Sequence, residues 1–189
     1  MASIDWKQLA THIQNWAKQL GFAEIGFAAP EKSDHQHYLD DWLKNNHHGE
    51  MAYMERHGKL RSEPDRLHPG TQSVICFRLD YLQHATQHDE ILASDSSAYI
   101  SRYALGRDYH KVIRGKLNAL VRQIENYLVE HEFYDFSARV FTDSAPILEK
   151  AFAERAGLGW IGKNTLLLNE QAGSWFFLGE ILTNLPLPA

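Results

Sequence analysis

The chain has 189 residues, 44% apolar and 23% charged, a balance that excludes a disordered or fibrous polypeptide and fits one globular domain. A formal net charge of −5 argues against a broad basic face for nucleic acid, so any RNA contact is expected to be local. The single cysteine, Cys76, excludes an intrachain disulfide, the start of the chain lacks the basic and apolar pattern of a secretory signal, and no window approaches the roughly 18 apolar residues of a membrane span, so a cytoplasmic protein with no membrane partner is expected.

From Trp6, the apolar residues Leu9, Ala10, Ile13, Trp16, Ala17 and Leu20 recur at helical spacing; Ser3 or Asp5 can cap the start and Gly21 can take a left-handed stop. Residues 22–28 read as a short strand and residues 39–56 as a second helix interrupted near Gly49. Residues 59–70, with Pro64 and a Pro69–Gly70 turn, predict an irregular loop. The apolar run 73–81 predicts a strand with Cys76 as a small buried thiol, and the polar residues 83–97 predict an exposed loop. Val112, Ile113, Leu117, Leu120, Val121, Ile124 and Leu128 make the longest helical stripe, followed by a strand at 139–142. Ser144 and Pro146 open a predicted helix through Ala156, which Gly157 ends. Residues 165–168 and 175–178 read as two buried strands of a hairpin about the turn 170–173. The loose alternation predicts an α/β (α+β) fold, a mixed sheet flanked by helices, in a single domain over residues 1–189.

Three places can carry chemistry. Gly157, Gly162 and Lys163 have the spacing of a phosphate-cradling loop, but Asn164 stands where that motif needs Ser or Thr, and a helix precedes the glycines where a strand should. The glycines instead let backbone approach a flat ligand, with Lys163 and Asn164 beside it, or simply end a helix and open a strand. Asp143 sits at a strand-to-helix corner, where it either caps the helix or, if Ser144 caps, turns its carboxylate to a pocket. These readings oppose each other: capping N–H groups favour the carboxylate, whereas a proton donor needs the acid form held by desolvation. The third place is Arg102, Tyr103, Gly106, Arg107, Asp108, Tyr109 and His110, where Asp108 can cap the long helix and the basic groups can grip amides or phosphate. The 11 histidines, including His35 with His37, His47 with His48 and His84 with His88, lack an ordered set of Cys or carboxylate partners and read as surface residues, so no metal site is assigned.

Several stretches resemble the epoxyqueuosine reductases: residues 49–54, 67–70 with 73–75, and 100–103 with 106–110. The most specific run comprises 143–146 (Asp-Ser-Ala-Pro), Glu149 with Lys150, the glycine-rich 156–165, Gly173 with Ser174, and 177–180. The resemblance implies a nitroreductase-like corrinoid-binding domain that holds cobalamin base-off and reduces the epoxide of epoxyqueuosine in tRNA to queuosine, with Asp143 as the proton donor. It also implies that Arg66, Tyr103, Gly106, Arg107, Asp108, Tyr109, His110, Gly162, Lys163, Asn164, Leu167, Ser174 and Leu178 surround the corrin, the two leucines by backbone or packing contacts. Family members continue into a ferredoxin-like domain with two 4Fe-4S clusters and a helical-repeat region. Residues 184–189 read as the start of the linker to those parts, so electrons and part of the tRNA grip are expected from outside this chain, from a donor the residues do not identify. Two other readings stay open: a stand-alone corrinoid-binding module, and a flavin-dependent reductase on a similar fold.

Overall fold

The computed structural model describes residues 4–82 and 88–189, with only the backbone of His88. Ser3 and His84, each named above, lie outside the described residues.

The first helix, α1 (Trp6–Gln19), starts where Asp5 accepts hydrogen bonds from the backbone N–H groups of Lys7 and Gln8 at 3.0 and 3.1 Å. It ends at Gly21 in the left-handed region, φ 90°, a conformation open to glycine without steric cost. Since the Asp5 carboxylate answers two otherwise orphaned N–H groups, Asp5→Ala is expected to cost about 1 kcal/mol, measurable by denaturant unfolding. Strand β1 (Glu24–Ala28) follows, and then the expected interrupted helix appears as α2 (Gln36–Lys44) and α3 (Ala52–Arg56).

The segment expected as irregular loop is more regular than its prolines suggest. A 3₁₀ turn, Gly58–Ser62, leads into a short helix, α4 (Pro64–Leu67), because Pro64 stands at the helix start where no N–H is needed. After β2 (Ser73–Asp80) a short helix, α5 (His88–Leu92), lies in the stretch expected to be loop. The long helix α6 (Tyr109–Glu130) is capped by Asp108 as one reading foresaw.

Strand β3 (Ala138–Phe141) is followed by six bent residues, and helix α7 (Glu149–Arg155) begins only at Glu149. The predicted start at Ser144 and Pro146 is therefore corrected: Leu148 is the capping position, without a side-chain cap, and neither Ser144 nor Asp143 caps anything. Gly157, φ 80°, ends α7, and the Leu158 N–H closes back on the Ala153 carbonyl at 3.0 Å.

The predicted hairpin also needs correction. Strand β5 (Leu167–Leu168) pairs with β4 (Trp160–Ile161) in a small second sheet, while β6 (Phe176–Thr183) inserts into the main sheet. That sheet runs β1-β2-β6-β3, with every pairing antiparallel. Helices α1 and α6 cover one face, packing Leu9, Ile13, Ile113, Leu117 and Leu120 on Ile75, Phe77 and Ile181. On the other face Phe152 and Ala153 of α7, with Leu158 and Leu167, pack on Val74, Cys76, Phe141 and Leu182. The helix-flanked sheet of a mixed α/β protein is thus present, built without parallel pairs among the described residues.

Candidate active site

Alternation along β6 decides what faces each layer. Gly179 and Ile181 turn to α6, whereas Leu178, Glu180 and Leu182 share the face covered by α7. Strand β3 pairs Phe141 with Glu180, so the chain leaves the sheet beside that carboxylate and bends through Thr142 and Asp143. The Thr142 hydroxyl donates to the Leu178 carbonyl at 3.1 Å and pins the bend to β6.

Asp143 sits in the left-handed region, φ 53°, an uncommon place for a residue with a Cβ. Such a conformation persists only where surroundings over-determine it, and it recurs at functional sites. Here the Asp143 N–H donates to Glu149 Oε1 at 2.7 Å, and the Ser144 hydroxyl accepts from Arg114 Nη2 of α6 at 3.0 Å. With the capping role absent, the carboxylate turns instead to the start of α6.

That carboxylate meets the start of α6. Tyr109 donates its O–H to Asp143 Oδ2, and His110 Nε2 lies 3.4 Å from the same oxygen. The Tyr109 ring stacks flat on Phe177, with centroids 4.0 Å apart and planes 6° apart, and also stacks on His110. Phe177 of β6 therefore aims the phenol at Asp143. Asp108 holds the other side of His110, with its Oδ1 3.0 Å from Nδ1, and its carboxyl is lowered in pKa by that hydrogen bond and by the His110 backbone N–H. Burial, the hydrogen bond to Asp143 and the charges of Asp143 and Glu149 push the Tyr109 phenol up, so it stays protonated across the physiological range.

Behind Asp143 stand two further acids. Glu180 is 0% exposed, and neither of its carboxylate oxygens meets a donor among the described residues. Glu149 lies against both Glu180 and Asp143, within hydrogen-bonding reach of each. Its place in the first turn of α7 favours the ionised form by about 0.3–1 kcal/mol, but burial and the Asp143 charge win, raising its pKa to about 8. Glu180 is raised too, by burial and then by the charges of Glu149 and Asp143. The Cys76 thiol, opposite Glu180 in the sheet, is pushed up by burial and by both glutamates, which keeps it an inert thiol.

Two cavities approach this acidic corner. One, of about 540 Å³, is lined by Ile147, Glu149, Lys150, Ile161 and Thr165, with His35 and Tyr38 at its rim. The other, of about 580 Å³, is lined by Tyr103, Gly106, Arg107 and Tyr109, together with Lys116 and Phe177. The structure so gathers Tyr103, Gly106, Arg107 and Tyr109 at one cavity, with Asp108 and His110 beside them. Gly162, Lys163 and Asn164 form the tip of the β4–β5 hairpin, whose Thr165 reaches the other cavity. A Cβ at Gly162 would meet Leu168 Cδ1 at 2.7 Å and Asn164 Oδ1 at 2.9 Å, so those side chains would have to shift to admit one. Leu167 is a core residue at 4% exposure, Leu178 packs against the same core, and Ser174 lies half-buried before β6. Arg66 stands apart: it pairs with Glu63 at 2.5 Å on α4 and lines neither cavity.

Sequence reasoning assigned no role to Glu149, Glu180, Phe177 or Arg114. One signal was available for Glu180, a charged residue inside the otherwise apolar strand 176–183, since a lone carboxylate in a buried strand is costly and calls for a reason.

A family model described as epoxyqueuosine reductase QueG, DUF1730, matches residues 61–144. An epoxyqueuosine reductase of Pseudomonas aeruginosa is 51% identical over 184 residues, covering 97% of this chain and 50% of the relative. Among solved structures, a selenomethionine-labelled epoxyqueuosine reductase aligns with a TM-score of 0.77 at 26% identity, covering 97% of this chain and 48% of the other. An epoxyqueuosine reductase with an epoxyqueuosine-modified tRNA-Tyr stem loop aligns with a TM-score of 0.74 at 25% identity, covering 97% and 47%. The fold is shared more distantly with a reductive dehalogenase described in terms of B12-dependent dehalogenation, at 17% identity and a TM-score of 0.51, covering all of this chain and 21% of the dehalogenase. In sequence along nearly the whole chain, and in fold, this protein is similar to one half of the epoxyqueuosine reductase chain, and it spans about half the length of the curated relatives it matches.

Proposed function

We propose that this chain is the cobalamin-binding catalytic domain of a cytoplasmic epoxyqueuosine reductase, which removes the epoxide oxygen of epoxyqueuosine in tRNA to give queuosine. The observation that carries the reading is the Asp143 corner: a carboxylate in a left-handed backbone, released from capping, held by Tyr109 and His110. The relative bound to an epoxyqueuosine-modified stem loop supports tRNA as the partner. Among the described residues no helix is long and apolar enough to cross a membrane. The chain's own share is substrate positioning and proton delivery; electrons come from an iron–sulfur domain or a separate donor.

The residues present fit a corrinoid. Tyr103 and Leu105, 54% and 48% exposed at the rim of one cavity, offer apolar surface to a flat macrocycle, and Arg107 and Lys116 can answer its amide and phosphate groups. Gly106, Tyr109, the 162–164 hairpin tip, Ser174 and Leu178 would complete the holding set. Bound there, cobalamin supplies the one-electron chemistry at cobalt. Opening the epoxide to an alkene releases its oxygen as water and consumes two electrons and two protons. Asp143 gives a proton to the departing oxygen, with Tyr109 holding the carboxyl in place.

Titration with cob(II)alamin, followed by EPR and visible absorption, tests the reading before any tRNA is needed. Saturable binding with a base-off signal is the expected result. Failure to bind, or purification with a fluorescent blue-absorbing flavin instead, would overturn it.

A further inference from the structure

Removing an epoxide oxygen as water takes two protons, and one carboxyl at Asp143 supplies only one before it must be reloaded. The geometry behind Asp143 offers a source. Glu149 accepts the Asp143 N–H at 2.7 Å on one side, and on the other its carboxyl interacts with that of Glu180, which lies buried on the sheet beside Phe141, so the three acids run from the core to the corner. Glu180 has no donor on either oxygen and no exposed surface, so two ionised glutamates here would bury uncompensated charge. A proton between them turns one acid into a donor to the other and removes most of that penalty.

We propose that Glu149 and Glu180 share a stored proton and act through Asp143, passing that proton along Glu149 to the Asp143 carboxylate after it has protonated the substrate. They are positioning residues in this scheme, since neither touches the substrate. The inference rests on the functional reading above. The step is balanced: two electrons arrive from an external one-electron donor, both C–O bonds to the epoxide oxygen break, and the oxygen leaves as water carrying one proton from Asp143 and one from the glutamate pair, which solvent then refills.

The surroundings favour storage over ionisation. From α7 the group facing Glu180 is Glu149, from the β3–α7 bend Asp143, from β2 the Cys76 thiol, and from the start of α6 the phenol of Tyr109 and the imidazole of His110 reach Asp143. The nearby cations are engaged elsewhere, Lys150 on the Thr165 carbonyl at 2.5 Å and Arg114 on Ser144. The pair also reaches solvent through Glu149 at the wall of the 540 Å³ cavity, which gives the reloading route.

The first arm of the test needs no cofactor. Infrared spectra of the chain, titrated from about pH 5 to about pH 9, are expected to show a protonated carboxyl that persists at neutral pH and is lost near pH 8. The band should weaken in Glu149→Gln and Glu180→Gln, and its midpoint should fall in Asp143→Asn because a neighbouring negative charge is gone. Because the Glu149 pKa is raised on folding, its stabilising share is complete below 4.5 and is lost as pH rises through about 8; thermal melts of Glu149→Gln should lose that slope. The absence of a protonated carboxyl at neutral pH, or a midpoint indifferent to Asp143→Asn, would overturn the proposal.

The second arm is single-turnover reduction of an epoxyqueuosine stem loop by cobalamin-loaded protein and a chemical one-electron reductant. Glu180→Gln is expected to turn over about 10- to 100-fold more slowly with unchanged cobalamin binding, the loss growing as pH rises, and Glu180→Asp should recover part of the rate. A wild-type rate in Glu180→Gln would sink the relay. No turnover by wild-type protein would instead sink the functional reading, leaving the infrared arm to decide whether the pair stores a proton.

Discussion

Asp143→Asn is expected to lower single-turnover reduction by about 10²- to 10⁴-fold without lowering the melting temperature. Asparagine keeps the size of the side chain and an oxygen to accept from the Tyr109 O–H, but it has no acid proton to give. It is also among the few residues that enter the left-handed region readily, which matters at φ 53°. Alanine is the poorer probe, because placing it in that region costs about 1–2 kcal/mol and would mix a folding defect with a chemical one. Cobalamin titration of Asp143→Asn should match wild type, so the defect falls on the rate and not on cofactor binding. A rate within about threefold of wild type would remove Asp143 from the role of donor.

Gly26→Ala is expected to give the largest loss of stability, about 3 kcal/mol, lowering the melting temperature by about 6–12 °C. A Cβ at Gly26 would lie 2.0 Å from the Ala156 carbonyl oxygen and 2.9 Å from its carbon, both backbone atoms at the end of α7 that cannot rotate away. Strand β1 or α7 must shift, and α7 carries Glu149 against the Asp143 corner. Gly58→Ala is the matching control: nothing lies within 4 Å of its Cβ position, and a change within about 0.5 kcal/mol is expected. Thermal melts of the two variants side by side decide the point, and equal melting temperatures would show that the β1–α7 contact is looser than the geometry requires.

Local pattern in the sequence determined much of this protein. The helical stripes of α1 and α6, the apolar run of β2, the Asp108 cap and the glycine stops at Gly21 and Gly157 were all legible, because each depends on residues within a turn or two of one another. The block resemblance likewise marked Asp143 and the 103–110 segment. Tertiary structure alone decided the rest. Residues 165–168 and 175–178 look like a hairpin in sequence, yet β5 pairs back to β4 and β6 enters the main sheet between β2 and β3, since strand partners are chosen by which apolar face must be covered and not by nearness along the chain. Whether Asp143 capped a helix turned on where α7 began, and packing of Phe152 and Ala153 on the sheet moved that start to Glu149. The same packing set Glu149 over Glu180, 31 positions apart in a sequence that carries no local sign of their pairing, and so placed two carboxyl groups behind the Asp143 corner. Helix periodicity and capping are short-range physics that a sequence displays directly; burial of charge is a property of what the fold brings together.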